Sequence, residues 1–151
     1  MHLSASLTTL AVSLLSLTST TGAIPPNAFR VMDRTSDPTN PALTWHLSHF
    51  DIGCSPGGCA YRFNILGHAS KNTPGFNTSC NGTTNQDDYA PCKDKGILAQ
   101  IEPATYPNWT VQVQHQWREG MFSEFYALGE RNVTGNSTTF TIPVQEVYGV
   151  A

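Results

Sequence analysis

Residues 109–117 constrain the fold more than any other part of the sequence, because their side chains alternate strictly between apolar and polar, with one histidine among the apolar positions. Successive side chains of a β-strand point to opposite faces, so a period of two predicts a strand with one buried and one solvated face. The segment is therefore predicted to be a half-buried strand. Its buried face would hold Trp109, Val111, Val113, His115 and Trp117, and its polar face Thr110, Gln112, Gln114 and Gln116.

The same period recurs earlier in the chain, with one change of phase. Leu43, Trp45 and Leu47 fall on odd positions, whereas the next apolar residues, Phe50 and Ile52, fall on even ones. A β-bulge inserts one extra residue into a strand, and this moves the apolar set to the other phase. The change of phase predicts a bulge near Ser48 or His49.

Further short strands are indicated at other places along the chain. The aromatic residues of 121–128 would fit a helix face as well as a strand, and the bounding Gly120 and Gly129 favour the strand. Pro143 predicts that the last strand lies at an edge, since proline cannot donate to a ladder. About seven short strands separated by turns predict an all-β fold, an antiparallel β-barrel or sandwich stabilised by disulfides. The remaining strands carry Tyr61, Phe63 and Ile65; Phe76, Thr78 and Cys80; Ile97, Ala99 and Ile101; and Phe140, Ile142 and Val144.

The N-terminal residues indicate a secretion signal. Residues 7–17 are uncharged and largely apolar, a stretch that is shorter than the roughly 20 apolar residues of a membrane span and typical of a signal-peptide core. The small residues at 21–23 place the cleavage after Ala23, with Gly22 as the second choice. A buried N-terminal helix is the alternative to a signal peptide. We expect a secreted, extracellular product with no membrane contact. The expected organisation is a signal peptide at 1–23, an irregular Pro-containing leader at 24–41 and a single β domain at 42–151.

Four cysteines in a short secreted chain predict two disulfides, for which three pairings are possible. Cys54 and Cys59 flank Ser-Pro-Gly-Gly, a turn sequence, while Cys80 and Cys92 flank a polar stretch long enough to loop between them. These spacings favour the pairs Cys54–Cys59 and Cys80–Cys92. A metal site is disfavoured, because the Cys54–Cys59 spacing is not that of a zinc knuckle and a secretory compartment favours oxidation.

Sequons for N-glycosylation are dense in the part of the chain that follows the predicted signal peptide. Each sequon needs a surface position to be glycosylated. Trp109 is the middle residue of one of them and makes that site the least favourable. The acceptor residues are Asn77, Asn81, Asn108, Asn132 and Asn136.

The charge balance excludes one class of partner. The chain has 8 Lys and Arg against 11 Asp and Glu, and only 13% of its residues are charged. A protein that binds nucleic acid by neutralising phosphates needs clustered basic residues. No nucleic-acid partner is therefore expected, and uncharged polar side chains and glycans are expected to keep the protein soluble.

The histidines do not form a recognisable site. His46 and His49 have a spacing that can chelate a metal on a helix, but residues three apart on a strand point to opposite faces. His68 is expected to be solvated at a strand end, and His115 to be a core histidine on the apolar face of its strand. No metal-binding residues are predicted.

No pattern selects catalytic residues either. His46, Arg62 and Glu102 could be assembled for ribonuclease chemistry, but no spacing singles them out. The sequence has no G-x-S-x-G motif, and no carboxylate stands inside an apolar run as a glycosidase pair would require. We therefore predict no catalytic or cofactor-binding residues and no cofactor. The polar face of the strand at 109–117 could bind a carbohydrate or a flat protein partner, although an ordinary solvated face is the simpler interpretation.

Four short segments carry a family resemblance. They are Trp-His-Leu-Ser-His-Phe at 45–50, Tyr-Arg-Phe-Asn-Ile at 61–65, Phe-Asn-Thr-Ser-Cys at 76–80 and Tyr-Ala-Pro-Cys at 89–92. In this order they resemble the secreted fungal proteins related to the major Alternaria allergen. The resemblance implies a β-barrel of largely antiparallel strands and a family disulfide corresponding to Cys80–Cys92. The chain departs from the family in having no cysteine after Cys92 and in carrying Cys54 and Cys59 instead.

The resemblance also implies a function. It indicates a non-enzymatic secreted fungal protein that is effector-like or allergen-like and acts by binding a host or cell-wall protein or glycan. With all four cysteines paired, a monomer or a non-covalent dimer is expected. A small secreted hydrolase and a lectin-like carbohydrate binder are the alternatives.

Overall fold

A computed structural model describes residues 28–30 and 43–150, and every regular element in these residues is a β-strand. The predicted all-β antiparallel fold is confirmed. Four strands are 12 residues long, which exceeds the short strands that the sequence indicated. Nothing in the described part of the chain is a helix able to cross a membrane. The strands are β1 (Ala28–Arg30), β2 (Thr44–Ser55), β3 (Gly58–Gly67), β4 (Phe76–Thr83), β5 (Ala90–Pro91), β6 (Ile97–Pro103), β7 (Asn108–Glu119), β8 (Ser123–Thr134) and β9 (Thr139–Val150).

The strands form one antiparallel sheet that curls into a nearly closed barrel. From one edge to the other the order is β4-β3-β2-β9-β8-β7-β6-β5, and β1 pairs with the end of β9. The two edges meet where the backbone N–H of Lys93 donates to the carbonyl of Ser79 at 2.9 Å. The disulfide between Cys80 and Cys92 crosses the same seam. Closure protects backbone groups that an open sheet would expose at its edges.

The barrel interior is filled by the residues that the alternation placed on the apolar faces. Trp45 and Phe76 pack edge to face with ring centroids 5.6 Å apart. Trp109 and Trp117 are half-buried and pack against this core, as their phase predicts. Burial of this apolar surface is the main favourable contribution to folding. The largest fully buried side chains are Trp45, Leu47, Phe63, Ile65, Ile97, Val111, Val113, Ile142 and Val147.

Both favoured disulfides are present. Cys54 and Cys59 face each other in the register of the β2–β3 hairpin and are bonded across it. Cys80 and Cys92 form the second pair. No cysteine among the described residues is free.

The prediction that β9 is an edge strand is wrong, because β9 lies between β2 and β8. Pro143 is nevertheless accommodated. Pairing of β9 with β8 ends at Val144, whose N–H donates instead to Leu43 on the other side at 2.8 Å. Because backbone N–H groups alternate in direction along a strand, position 143 would direct its donor toward β8, where the ladder has ended. The proline therefore costs no ladder hydrogen bond.

Two further boundaries differ from the sequence prediction. Ala28–Arg30 lies within the leader that was expected to be irregular, yet it forms β1 and pairs with β9. No proline occurs between Pro26 and Pro38, so a short strand can form there. In the segment 121–128 the preference for strand over helix is confirmed, but β8 begins only at Ser123. The predicted signal peptide at 1–23 lies outside the described residues.

Candidate ligand-binding groove

A shallow, open groove of about 640 Å³ lies on the outer face of β2, β3 and β4. It is centred on the irregularity in β2 that the change of apolar phase predicted. Polar side chains from three strands and one residue that precedes β9 meet there. The lining residues are His49, Phe50, Asp51, Arg62, Phe63, Asn64, Ser79, Cys80, Asn81 and Thr138.

The bulge in β2 shapes this groove. Ser48 pairs with Asn64 and Asp51 pairs with Arg62, so two residues of β2 stand opposite the single residue Phe63. The predicted bulge near Ser48 or His49 is confirmed. The extra residue moves the buried side chains of β2 from odd to even positions, because a shift of one residue exchanges the two faces of a strand.

The bulge is built on two residues with opposite roles. Phe50 is buried and packs against Phe63 and Phe140, with centroids 6.3 and 5.4 Å away. Its N–H donates to the carbonyl of Thr138 at 3.0 Å. His49 has φ of 55°, in the left-handed region, and is exposed. A non-glycine residue held there costs roughly 1–3 kcal/mol, and such strain is frequent at functional sites.

His49 is held by polar neighbours on both strands. Its Nδ1 lies 3.4 Å from the amide nitrogen of Asn64 and 3.3 Å from the hydroxyl of Ser48. Since an amide nitrogen can only donate, Nδ1 acts as the acceptor in the first contact. Nε2 is then the ring nitrogen that remains for a ligand.

An exposed ion pair forms the next part of the groove. Arg62 donates from Nε to Asp51 Oδ2 at 3.1 Å, and its Nη2 lies 2.9 Å from the same oxygen. Both side chains are largely exposed, so this pair adds little stability. It places a guanidinium and a carboxylate side by side, where they offer several donors and an acceptor to one ligand.

The third strand contributes uncharged groups. Asn64 pairs in register with Ser79, and Arg62 pairs with Asn81. The groove therefore presents imidazole, carboxylate, guanidinium, amide and hydroxyl groups on adjacent strands. This set can donate and accept hydrogen bonds in several directions but holds no exposed Phe, Tyr or Trp ring.

The structure places the predicted glycosylation sites on the surface to different degrees. Asn77 and Asn81 are exposed on the outer face of β4, and Asn81 lines the groove. Asn132 and Asn136 are also exposed, and their Oδ1 atoms accept from Thr110 and Thr134, respectively, at 2.8 and 2.7 Å. Asn108 is half-buried. Glycosylation itself stays a prediction for all five positions.

His115 is a core residue, as its strand phase suggested. It is buried and lies against Phe76 and Trp117, with centroids 4.7 and 4.9 Å away. Burial lowers its pKa from 6.5 to about 4, although the charge of Asp94 acts in the opposite direction. Its ring is therefore a packing element in the core.

The other histidine combinations do not assemble. His46 lies against His68 with ring centroids 6.0 Å apart, away from the groove. Glu102 is on β6, which three strands separate from β2 in the order of the sheet, and it accepts from Gln100 at 3.2 Å. The fold therefore does not bring Glu102 together with His46 and Arg62, the three residues considered for ribonuclease chemistry. Among residues 28–30 and 43–150, no group of three His, Cys, Asp or Glu side chains could hold a metal ion.

Side chains on the polar face of β7 are hydrogen-bonded to side chains of the adjacent strand β8. Gln112 donates to Glu130 Oε2 at 3.1 Å, and Thr110 donates to Asn132. Tyr126 and Tyr148 stack on each other beside this face, with centroids 5.2 Å apart. Because these groups satisfy one another, the face is an ordinary solvated sheet surface and not the best candidate for binding.

Sequence reasoning missed the groove itself. The phase change at Ser48 and His49 was a usable signal, since bulges are frequent beside functional sites. The polar residues on β3 and β4 carried no such signal, because alternation marks them only as solvent-facing. No protein-family model matches this chain, and no match is found among curated proteins.

Proposed function

We propose that this protein is secreted and glycosylated and acts by binding, with the groove beside His49 as the site for a short polar oligosaccharide. The observation that carries the proposal is the coincidence of a concave surface, a strained polar residue and hydrogen-bonding side chains from three strands at one place. The volume of the groove, about 640 Å³, lies within the roughly 300–1,000 Å³ that is usual for ligand sites. The resemblance to the fungal allergen-related family agrees with an effector-like role.

The chemistry of the groove favours a saccharide over an apolar ligand. Sugar hydroxyls both donate and accept, and the side chains of Asp51, Arg62 and Asn64 offer both functions within adjacent register positions. The aromatic residues of the lining, Phe50 and Phe63, are buried beneath the polar layer. An apolar ligand would therefore have to displace water from charged groups without replacing their hydrogen bonds.

Secretion is supported by independent features of the chain. Two disulfides are typical of proteins that fold in an oxidising compartment. The apolar stretch at 7–17 and the small residues before Ile24 fit a cleaved signal, and four of the five sequons lie at exposed asparagines.

A hydrolase is the second candidate, and one contact favours it. The hydroxyl of Ser48 lies 3.3 Å from Nδ1 of His49, and Asp51 lines the same groove as His49. The Asp51 carboxylate is bound to Arg62, not to the imidazole. If a bound acylated glycan loses its acyl group during the assay and Ser48→Ala stops the loss, the hydrolase is the correct assignment.

The test is a glycan array followed by calorimetry with the protein after enzymatic removal of its own N-glycans. Retention of an oligosaccharide at millimolar concentration is expected, and Arg62→Gln is expected to weaken binding about tenfold, since a charged hydrogen bond contributes roughly 1.5–3 kcal/mol. Arg131→Gln is the matched control, because Arg131 lies on β8 and bonds to Thr141 outside the groove. If no glycan is retained, or if both variants weaken binding equally, the proposed function is wrong.

A further inference from the structure

The turn between β7 and β8 carries two of the most exposed apolar side chains of the described residues. Met121 is 88% and Phe122 is 83% exposed, and both follow Gly120, whose φ is 72°. Large apolar side chains that stand out singly are common on protein surfaces, but two adjacent ones at the apex of a turn form a local apolar tip. We call residues 120–122 the apex.

The direction of the strands brings two other loops to the same end of the barrel. These are the β3–β4 loop at 68–75 and the turn before β6 at 93–96. The N–H of Gln116 donates to Gly96 at 2.7 Å, and the N–H of Asp94 donates to Thr78 Oγ1 at 2.9 Å. The turn at 93–96 thus contacts both β4 and β7, at the end of the barrel that all three loops share. We call them together the lysine end.

The β7–β8 hairpin extends beyond the turn at 93–96. Its pairing continues past Gln116 to Glu119 and Ser123. At about 3.4 Å per residue this places the apex roughly 10 Å beyond the turn at 93–96. Trp117 and Phe125 stack at the base of this extension, with centroids 5.6 Å apart, and brace it.

The lysine end differs in charge from the rest of the barrel. All three lysines of the chain lie in its loops, at Lys71, Lys93 and Lys95, and all three are exposed. When the strand ends that flank the apex are counted with it, this end has four cations, the lysines and Arg118, against three carboxylates, Asp94, Glu119 and Glu124. The remainder of residues 43–150 has two arginines against six carboxylates. This end is therefore the positive pole of an acidic barrel.

The carboxylates of the lysine end are already engaged. Glu124 forms an ion pair with Arg118 and accepts from Tyr126. Asp94 accepts from the backbone N–H of Gly96 at 3.0 Å. Glu119 accepts from the indole nitrogen of Trp117 at 3.3 Å.

We infer that the lysine end docks peripherally on an anionic lipid surface, with Met121 and Phe122 inserted at the headgroup boundary. Interfacial segments bury their apolar side about 5–10 Å deep, which matches the projection of the apex. Lys93 and Lys95 would then stand at the level of the lipid phosphates. The expectation of no membrane contact rested on the lack of a spanning segment, and peripheral docking does not need one.

A lipid surface fits the apex better than a protein partner does. A stable protein interface buries about 800 Å² on each side, whereas the apolar part of this end consists of two side chains on a narrow hairpin. Insertion into a lipid surface needs only such a tip together with nearby cations. The proposal is independent of the groove, which lies on the barrel wall.

The test is cosedimentation of the purified, disulfide-bonded protein with phosphatidylcholine–phosphatidylserine vesicles and with pure phosphatidylcholine vesicles. We expect binding to the anionic vesicles that weakens with added salt. The double variant Met121→Ser, Phe122→Ser should lose at least tenfold of this binding, and Lys93→Gln about fivefold. Tyr106→Ser and Arg131→Gln are the matched controls. Tyr106 is 92% exposed but lies at the opposite end of the barrel, between β6 and β7. Both variants should bind the anionic vesicles as the parent protein does.

A second measurement reports the insertion directly. In Phe122→Trp the added indole should shift its fluorescence to the blue with anionic vesicles and be quenched by brominated lipid. The inference is overturned if the parent protein does not bind anionic vesicles at low salt, or if the double serine variant binds them equally well. It is also overturned if the apex instead drives self-association, seen as a concentration-dependent dimer that the double serine variant abolishes while vesicle binding is absent.

Discussion

Cys80 and Cys92 join the two strands that stand at opposite ends of the sheet order. Cys80 lies on β4, and Cys92 directly follows β5. Both are 2% exposed. The bond therefore lies inside the seam of the barrel, next to the hydrogen bond from Lys93 to Ser79. By contrast, Cys54 and Cys59 join neighbours within one hairpin.

The two disulfides are expected to contribute unequally to stability. In the chain-entropy model, the loop closed by Cys80–Cys92 contributes about 3 kcal/mol and the shorter hairpin loop about 2 kcal/mol. Replacing Cys80 and Cys92 by alanine also leaves a cavity in the seam, which adds to the loss. Urea unfolding of the two double-alanine variants measures the difference. An equal or larger loss for the Cys54–Cys59 variant would show that the seam does not depend on its disulfide.

His115 is expected to make the protein less stable in mild acid. Its pKa is about 4 in the folded protein against 6.5 in the unfolded chain, so between these values the unfolded state binds more protons. The free energy of unfolding should therefore be highest above pH 6.5 and fall as the pH drops toward 4, by roughly 3 kcal/mol in all.

The measurement is urea unfolding at a series of pH values. His115→Gln should remove most of the pH dependence between 4 and 6.5 even if it lowers stability overall, because the slope and not the absolute value reports the titration. His68→Gln is the control, since His68 is exposed. A parent protein whose stability is flat over this range would contradict the assignment.

The sequence predicts those parts of the fold that depend on single strands. The alternation at 109–117, the bulge at Ser48 and His49 and the hairpin disulfide all follow from local patterns. Alternation states which face of a strand is buried, but it does not state which strand lies beside it. The meeting of β4 with β5, the central position of β9 despite Pro143 and the pairing of β1 with β9 depend on such neighbours and could not be derived.

The same limit explains the candidate site. Asp51, Arg62 and Asn81 lie on three different strands, and each belongs to the polar phase of its own strand. Only the register of β2, β3 and β4 brings them to one surface. The bulge was visible in the sequence because it interrupts a local pattern, whereas the groove around it was not.

The left-handed backbone of His49 is expected to lower the free energy of unfolding of the protein. A left-handed backbone costs an L-residue roughly 1–2 kcal/mol, while glycine adopts it freely but loses about 0.5–1 kcal/mol through the entropy of the unfolded chain. His49→Gly should therefore leave the free energy of unfolding unchanged or raise it by up to about 1 kcal/mol. His49→Val should lower it, because a β-branched residue is more strained at this φ.

Both variants should also weaken oligosaccharide binding, since each removes the imidazole from the groove. Chemical unfolding and calorimetry with the oligosaccharide measure the two effects separately. If His49→Gly is clearly less stable than the parent protein, then the imidazole contacts to Asn64 and Ser48 outweigh the backbone strain.

A glycan on Asn81 is expected to block the groove. Asn81 pairs in register with Arg62, and both side chains line the same surface. A sugar attached to the Asn81 amide would therefore occupy the space that an added ligand needs. In glycosylated protein from a secreting host, Asn81→Gln should bind added oligosaccharide more tightly than the parent does. Asn132→Gln is the control, because it removes an exposed sequon on β8 without touching the groove. If mass spectrometry finds Asn81 glycosylated and Asn81→Gln leaves the affinity unchanged, the oligosaccharide binds elsewhere on the barrel.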